Sequence, residues 1–489
     1  MPNSGNPIIN DIFVTKEMER YRVPGLALSV FTEEESLLRK GYGYRDLTKK
    51  TPVTPGTQFG IASCSKSFTS MLAAMLDDEG ILRFDVPLCE YFPDFRLYDP
   101  QATKGCTMRD MLTHLTGIAG HDALWTDTID RAALWERLRF IEPNAAFRGA
   151  VQYSNLIYTM AGHAMEKITG QTWEALIKER IFQALGMKNS NTSVNDMVLK
   201  EDYATPYRQS DTLPFPVKPW NVDLGGPAAS INSCLTDMEL WIRFNMGDGV
   251  WQGKRLVSGK NLNLVHQGQV AYRLWRWNYP EADPMGQYAM GWYTNLYRNR
   301  EIVFHVGEIE GYCSMQAFLP KEKIGFVCLM NLHKPCMLIK NALLYTIIDN
   351  LLELPPANWG ERLSKETGQY GYMYEHWEVN LLKGEPVQGT APSHPLKAYA
   401  GMYHNPGYGN FEIIAGGKAL EGRYRDVKEA LVHYHYDTFR VPEIKMDTQL
   451  YTLPLTFTTN PYTGDIDGFH IPMEPRVTPI FFRRKDREA

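Results

Sequence analysis

Three observations predict an α+β chain with a second, smaller β domain. Strand-like segments open the sequence, helical patterns dominate from Thr107 to about Leu185, and strand patterns return after Gly286. A helical middle between strands at both ends suggests one sheet assembled from the two ends of a large domain. From Leu396 onward the text breaks into short β runs separated by turns. A chain of 489 residues also exceeds what a single hydrophobic core usually supports.

Leu26–Phe31 reads as a buried strand, followed by a turn around Glu33–Ser36 and a second strand before Gly41. From Ser63 the period changes. Phe68, Met71, Leu72, Met75 and Leu76 fall on one face of a helix, with Gly80 placed as its C-terminal stop. Trp173–Leu185 is the clearest helical pattern of the middle. Strands are then expected at Tyr288–Leu296, Glu301–His305, Cys313–Leu319 and Ile324–Met330, and a helix at Met337–Leu352 before Pro355-Pro356. The polar, broken stretch that follows, to Pro395, reads as linker. Roughly eight β runs after it, with turns such as Gly409-Asn410, Gly416-Gly417 and Thr463-Gly464-Asp465, suggest a small barrel or sandwich.

Composition excludes several classes of function. Lys plus Arg (51) against Asp plus Glu (56) gives a net charge of −5, and Arg483-Arg484-Lys485 is the only basic run, so no nucleic-acid footprint is expected. No stretch has the length of apolar sequence that crosses a membrane. Met1–Lys16 lacks the basic and apolar regions of a signal peptide. The seven scattered cysteines contain no C-x-x-C pair, which predicts reduced thiols in a cytoplasmic protein and argues against zinc.

Three short motifs carry chemistry. Ser63-Cys64-Ser65-Lys66 puts an alcohol and an amine three residues apart, on one face of the first helical turn. A serine needs a base to attack at neutral pH, and a lysine serves if its surroundings hold it neutral. The helix N-terminus also offers N–H groups to a developing oxyanion. Alone, the pattern equally fits an N-capping serine with a solvated lysine. Tyr153-Ser154-Asn155 offers a phenol for proton relay and an amide for a substrate carbonyl, or simply a turn before a helix. His305-Val306-Gly307, followed by Glu308, ends a strand whose backbone can approach a substrate closely at the glycine.

In this order the motifs resemble the serine β-lactamase and penicillin-binding-protein superfamily, in the branch with Y-x-N as its second motif: class C β-lactamases, D-aminopeptidases and esterases. Met111–Ile118 (MLTHLTGI), Tyr153–Gly162 (YSNLIYTMAG), Leu185-Gly186-Met187, Gly225–Ala229 with Thr236-Asp237-Met238, and Tyr288–Trp292 extend the likeness. The resemblance implies an antiparallel sheet flanked by helices with a helical subdomain. It implies a catalytic domain at 1–355, a linker at 356–394 and, from Tyr403–Tyr408 (YHNPGY), a lipocalin-like barrel at 395–489. Such a barrel has two available roles, covering the site or mediating homo-oligomers.

Carried over, Ser63 is the acylated nucleophile, Lys66 its base and Tyr153 the second proton-transfer group. Asn155, His305, Gly307 and Glu308 contact substrate, and the N–H groups of Ser63 and Glu308 form the oxyanion hole. No cofactor or metal is implied; His114, His121 and Asp122 are read as structural. The third motif departs from the family pattern, with His305 where a lysine usually holds a substrate carboxylate. A mostly neutral imidazole is a weaker and pH-dependent anion contact, which puts penicillin hydrolysis and D-Ala-D-Ala trimming in doubt and favours neutral esters, amides or peptides that lack a carboxylate at that position. Glu308 either attracts an amine or faces solvent. Hydrolysis, acyl transfer or peptide cyclisation, and a non-catalytic sensor all remain open at this point.

Overall fold

The computed structural model describes residues 8–125, 130–209, 213–274, 279–333, 336–366, 382, 384–417, 419–425, 427–446 and 449–485. They form two compact units. One comprises Met1–Val86, Thr107–Thr113 and Ala161–Gly371, the other Pro87–Cys106, His114–Met160 and Tyr372–Ala489.

The first unit holds a nine-stranded sheet in which every pairing is antiparallel. The strands are β1 (Gly25–Phe31), β2 (Ser36–Asp46), β3 (Thr51–Pro52), β4 (Val270–Arg273), β5 (Met285–Tyr288), β6 (Tyr293–Tyr297), β7 (Arg300–Ile309), β8 (Tyr312–Leu319) and β9 (Ile324–Met330). Their order is β4-β5-β6-β7-β8-β9-β1-β2-β3. Leu26 pairs with Met330 and Phe31 with Gly325, so the two ends of the unit meet in the middle of the sheet. Both central strands are buried along their whole length, which is why they read as unbroken apolar runs. Helices α1 (Asp11–Tyr21), α2 (Ser65–Asp78), α6 (Leu235–Met246) and α7 (Cys336–Leu351) belong to the same unit.

Several expectations need correction. Tyr288–Leu296 is not one strand: it breaks at Gly291, whose φ of 74° no extended strand adopts. A Cβ there would meet Lys66 O at 2.7 Å, so the turn runs hard against α2. Helix α2 is also not amphipathic in place. Lys66, Ser67, Thr69 and Ser70 are buried along with its apolar face. Their polar atoms are satisfied inside the fold: Ser67 Oγ donates to Cys64 O (2.8 Å) and accepts from Gln316 Nε2 (2.8 Å), and Thr69 Oγ1 donates to Pro227 O (2.7 Å).

Within the stretch expected as linker, Trp359–Ser364 forms a short helix, α8. Its anchor is Trp359, which is buried and donates from Nε1 to Tyr297 Oη (2.9 Å) and Asp349 Oδ2 (3.0 Å). Residues 367–381 and 383 of that stretch lie outside the described residues. The thiols are not uniformly reduced either. Cys64, Cys89, Cys106, Cys234 and Cys328 are free, but Cys313 is disulfide-bonded. Sequence spacing carries no trace of a pairing that only the fold creates.

The second unit contains a closed eight-stranded barrel, β10 (Gly401–Asn405) to β17 (Ile480–Arg484), in which β10 pairs with β17. Its interior is filled by rings rather than left open. Phe411 lies 5.2 Å from Phe469 and 5.7 Å from Phe482, and Tyr403 lies 5.0 Å from Phe469. Tyr403 and Tyr408 of the YHNPGY segment are both buried. The helical segments of this unit include α3 (Asp122–Trp125) and the first residues of α4 (Asn155–Thr169).

Candidate active site

The turn that presents Ser63 depends on a residue in an uncommon conformation. Ala62 has φ of 49°, a left-handed backbone that costs a residue with a Cβ about 1–2 kcal/mol. Backbone bonds hold it from both sides: Ile61 N–H donates to Ile231 O (2.9 Å), and Cys64 N–H donates to Ile61 O (3.1 Å). Ala62–Cys64 forms a 3₁₀ turn that runs directly into α2. Ala62 and Cys64 are buried, and Ser63 between them is half-exposed.

Lys66 follows three residues later and has no exposed surface. Its Nζ lies 3.0 Å from Ser63 Oγ and donates to Ala228 O at 3.1 Å. That carbonyl belongs to α5 (Gly226–Ala229), which is pinned in place. Thr69 bonds the carbonyl of Pro227, and α4 approaches so closely that a Cβ on Gly162 would meet Pro227 Cγ at 2.2 Å.

Strand β7 passes against the same turn. A Cβ on Gly307 would meet Ile61 O at 2.0 Å and Ser314 Oγ at 2.3 Å, while Ser314 Oγ itself donates to Ile61 O at 2.7 Å. β6 pairs with β7 only from Arg300 to Phe304. Among the described residues, Val306–Glu308 therefore have no strand on that side. Glu308 is half-exposed on this stretch. Behind the pair of strands lies Lys340, fully buried, its Nζ donating to Ser314 O at 3.0 Å. Burial pushes its ammonium down, and the Glu308 charge opposes this.

His305 is enclosed, with 1% of its surface exposed. Its Nδ1–H donates to Val306 O (2.7 Å), and Nε2 faces Tyr288 Oη (3.5 Å) with the Tyr293 ring centroid 5.0 Å away. Burial, followed by the Lys66 charge, takes its pKa down to about 3. The imidazole is neutral at physiological pH, and it faces tyrosines.

Tyr153 and Asn155 belong to the second unit. One histidine organises their turn. His114 is fully buried, accepts from Ser154 N–H through Nδ1 (3.1 Å) and takes Gln152 N–H on its carbonyl (2.9 Å). Its ring centroid lies 4.4 Å from that of Tyr153. His121 is also committed to structure: Nε2–H donates to Glu142 O (3.1 Å), Nδ1 accepts from Tyr408 Oη (2.7 Å), and burial lowers its pKa to about 4. Among the described residues no three His, Cys, Asp or Glu side chains group as metal ligands.

A beta-lactamase family profile matches residues 11–344, more than half of the chain. The chain belongs to the beta-lactamase family. A second profile, a domain of unknown function (DUF3471), matches residues 385–484, which include the barrel. The unguisins hydrolase ungD of Aspergillus violaceofuscus (strain CBS 115571) is 28% identical over 444 residues, covering 84% of this chain and 77% of that protein. Protein flp of Staphylococcus aureus (strain MW2) is 27% identical over 337 residues, covering 66% of this chain and 62% of flp. The octameric penicillin-binding protein homologue from Pyrococcus abyssi superimposes with a TM-score of 0.57 at 19% identity, over 97% of this chain and 99% of that one. A class C beta-lactamase from Rhodobacter sphaeroides gives 0.56 at 22% identity, over 69% of this chain and 97% of that one. Both share the beta-lactamase fold with this chain.

Within this beta-lactamase-family chain, the structure brings Ser63, Lys66, Gly307 and His305 into one neighbourhood of the first unit. It adds two groups that sequence reasoning missed. Ala228 acts through a carbonyl, which leaves no side-chain signal beyond the Gly225–Ala229 motif. Lys340 sits in a run, Met337–Leu352, that reads as an ordinary buried helix.

Proposed function

We propose that this chain is a serine hydrolase that forms an acyl-enzyme on Ser63 and cleaves an ester or amide. The observation that carries the reading is the 3.0 Å contact between Ser63 Oγ and the buried Lys66 Nζ, on a turn held in a left-handed conformation. Ser63 Oγ attacks the substrate carbonyl carbon, and Lys66 in its neutral form takes the hydroxyl proton. The N–H groups of Ser63 and Glu308 receive the oxyanion, with Gly307 permitting the close approach. The proton taken from Ser63 is relayed through Tyr153 to the leaving group as its bond to the acyl carbon breaks, while Asn155 holds a substrate amide; water then attacks the acyl carbon, and its proton returns by the same groups to Ser63 Oγ as the acid leaves.

His305, enclosed by tyrosines and neutral, brings no charge to the substrate. Without a cation at that position, a substrate carboxylate has one anchor fewer, which supports esters, amides and peptides that lack a carboxylate there over penicillins and D-Ala-D-Ala ends. The name of the Aspergillus relative, a hydrolase, supports the same class of reaction. The test is a fluorophosphonate probe with mass-spectrometric mapping, followed by a screen of short esters, D-peptides and β-lactams. A single adduct on Ser63, lost in Ser63→Ala, is expected. A folded wild type that takes no label, or a Ser63→Ala variant that still turns over the esters, would overturn the proposal.

A further inference from the structure

The Asn155 arm is tied to the barrel through one carboxylate. Asp122, at the start of α3, accepts from Trp125 Nε1 (2.8 Å) and is hydrogen-bonded by the Asn155 side chain. Burial raises the Asp122 pKa; the Trp125 bond, the Arg476 charge and the Asn155 bond lower it, while the Glu474 charge adds to the rise.

The turn carrying Asp122 is in turn held by the loop between β16 (Ile466–Ile471) and β17. Glu474 of that loop is 3% exposed and accepts the His121 N–H at 2.9 Å. It is fixed by Arg476, whose backbone N–H (3.1 Å), Nε (2.8 Å) and Nη2 (3.2 Å) all donate to it. The guanidinium lies over Gly120: a Cβ there would be 2.9 Å from Arg476 Nη2 and 2.9 Å from Asp122 Oδ2. Thr478 of the same loop donates to Glu142 Oε2 (2.6 Å), and Tyr408 of the barrel donates to His121.

We propose that Asp122 is a positioning residue for Asn155, and that the β16–β17 loop of the barrel is the brace that sets it. A carboxylate can only accept, so it holds an N–H of the Asn155 amide and fixes which way that amide faces. The amide is then held toward the substrate in one orientation. The inference rests on the reading of Asn155 as a substrate contact. It gives the barrel a hand in substrate choice without a role in the acylation step itself.

Two esters separate these roles: p-nitrophenyl acetate, which has no amide for Asn155 to hold, and the p-nitrophenyl ester of N-acetylglycine, which has one. Asp122→Asn keeps the shape but lets both amides pair in either orientation. It should lower kcat/KM for the N-acetylglycine ester about tenfold, the worth of a hydrogen bond to a charged group. Turnover of p-nitrophenyl acetate and fluorophosphonate labelling of Ser63 should stay within about twofold of wild type. Glu474→Gln, which loosens the brace and removes a neighbouring charge but leaves the Asp122 side chain in place, should shift the same ratio in the same direction, with thermal melting confirming that both variants fold. Equal losses on both esters, or no loss on either, would overturn the proposal while leaving Ser63 labelled. A wild type that takes no label would instead remove the hydrolase reading and this inference with it.

Discussion

In the proposed mechanism Lys66 serves Ser63 because of where it is held. A solvated lysine three residues after a serine would be an ordinary helix feature. Here the amine has no exposed surface, lies 3.0 Å from Ser63 Oγ and is anchored on the Ala228 carbonyl. Replacing it by Gln keeps a polar group of similar reach but no base. Lys66→Gln should slow fluorophosphonate acylation of Ser63 by roughly 10²–10⁴-fold, the usual contribution of a positioned base, with an unchanged circular-dichroism spectrum; labelling at the wild-type rate would show that Lys66 is a structural residue. At this scale the sequence reveals side chains and hides backbone. Ser63 and Lys66 stand out because S-x-x-K opens a helical pattern. Ala228 contributes a carbonyl that any residue carries. The enclosure of His305 was equally hidden, since it is made by Tyr288 and Tyr293 on neighbouring strands.

Elements place these residues by contact, and glycine at position 307 is the tightest contact at the site. Adding one methyl group there puts carbon 2.0 Å from Ile61 O, too close for any relaxation short of moving β7 away from the Ala62–Cys64 turn. Gly307→Ala should therefore lower the melting temperature and cut Ser63 acylation at least about tenfold, because small displacements of reacting groups are costly. Gly416→Ala is the comparison, since a Cβ there has only Ala419 O within 4 Å, at 3.7 Å, and its φ is not left-handed; it should leave acylation unchanged, and equal effects of the two would refute the assignment. Most strands and helices were legible as elements, since β1 and β9 are buried throughout and read as continuous apolar runs. Their boundaries were less so. The break at Gly291 and the buried polar face of α2 both arise from α2 being packed on all sides, which local periodicity does not report.

At the scale of the whole chain, the sheet built from both ends was legible because both strands of its central pair read as unbroken apolar runs. The grouping of Pro87–Cys106 and His114–Met160 with the barrel was not, because it is made by contacts nearly 300 residues apart, such as that of His121 with Tyr408 (287 residues). The large core has a further consequence, for pH. His266 lies between Trp292 (5.4 Å) and Phe318 (5.1 Å), its Nε2–H donating to Asn245 Oδ1 (2.9 Å). Burial lowers its pKa to about 3. Above about pH 6.5 the imidazole is neutral in both folded and unfolded chains and contributes no pH dependence. Below that, the unfolded chain binds a proton that the folded chain refuses, so stability falls as pH drops. His266→Asn lacks this proton. Its stability deficit against wild type should narrow by about 1.4 kcal/mol for each pH unit from about 6.5 to 5. Urea unfolding followed by hydrogen exchange in β6–β8 measures this within the first unit. A deficit that stays constant across that range would mean that His266 takes up its proton in the folded chain as readily as in the unfolded one.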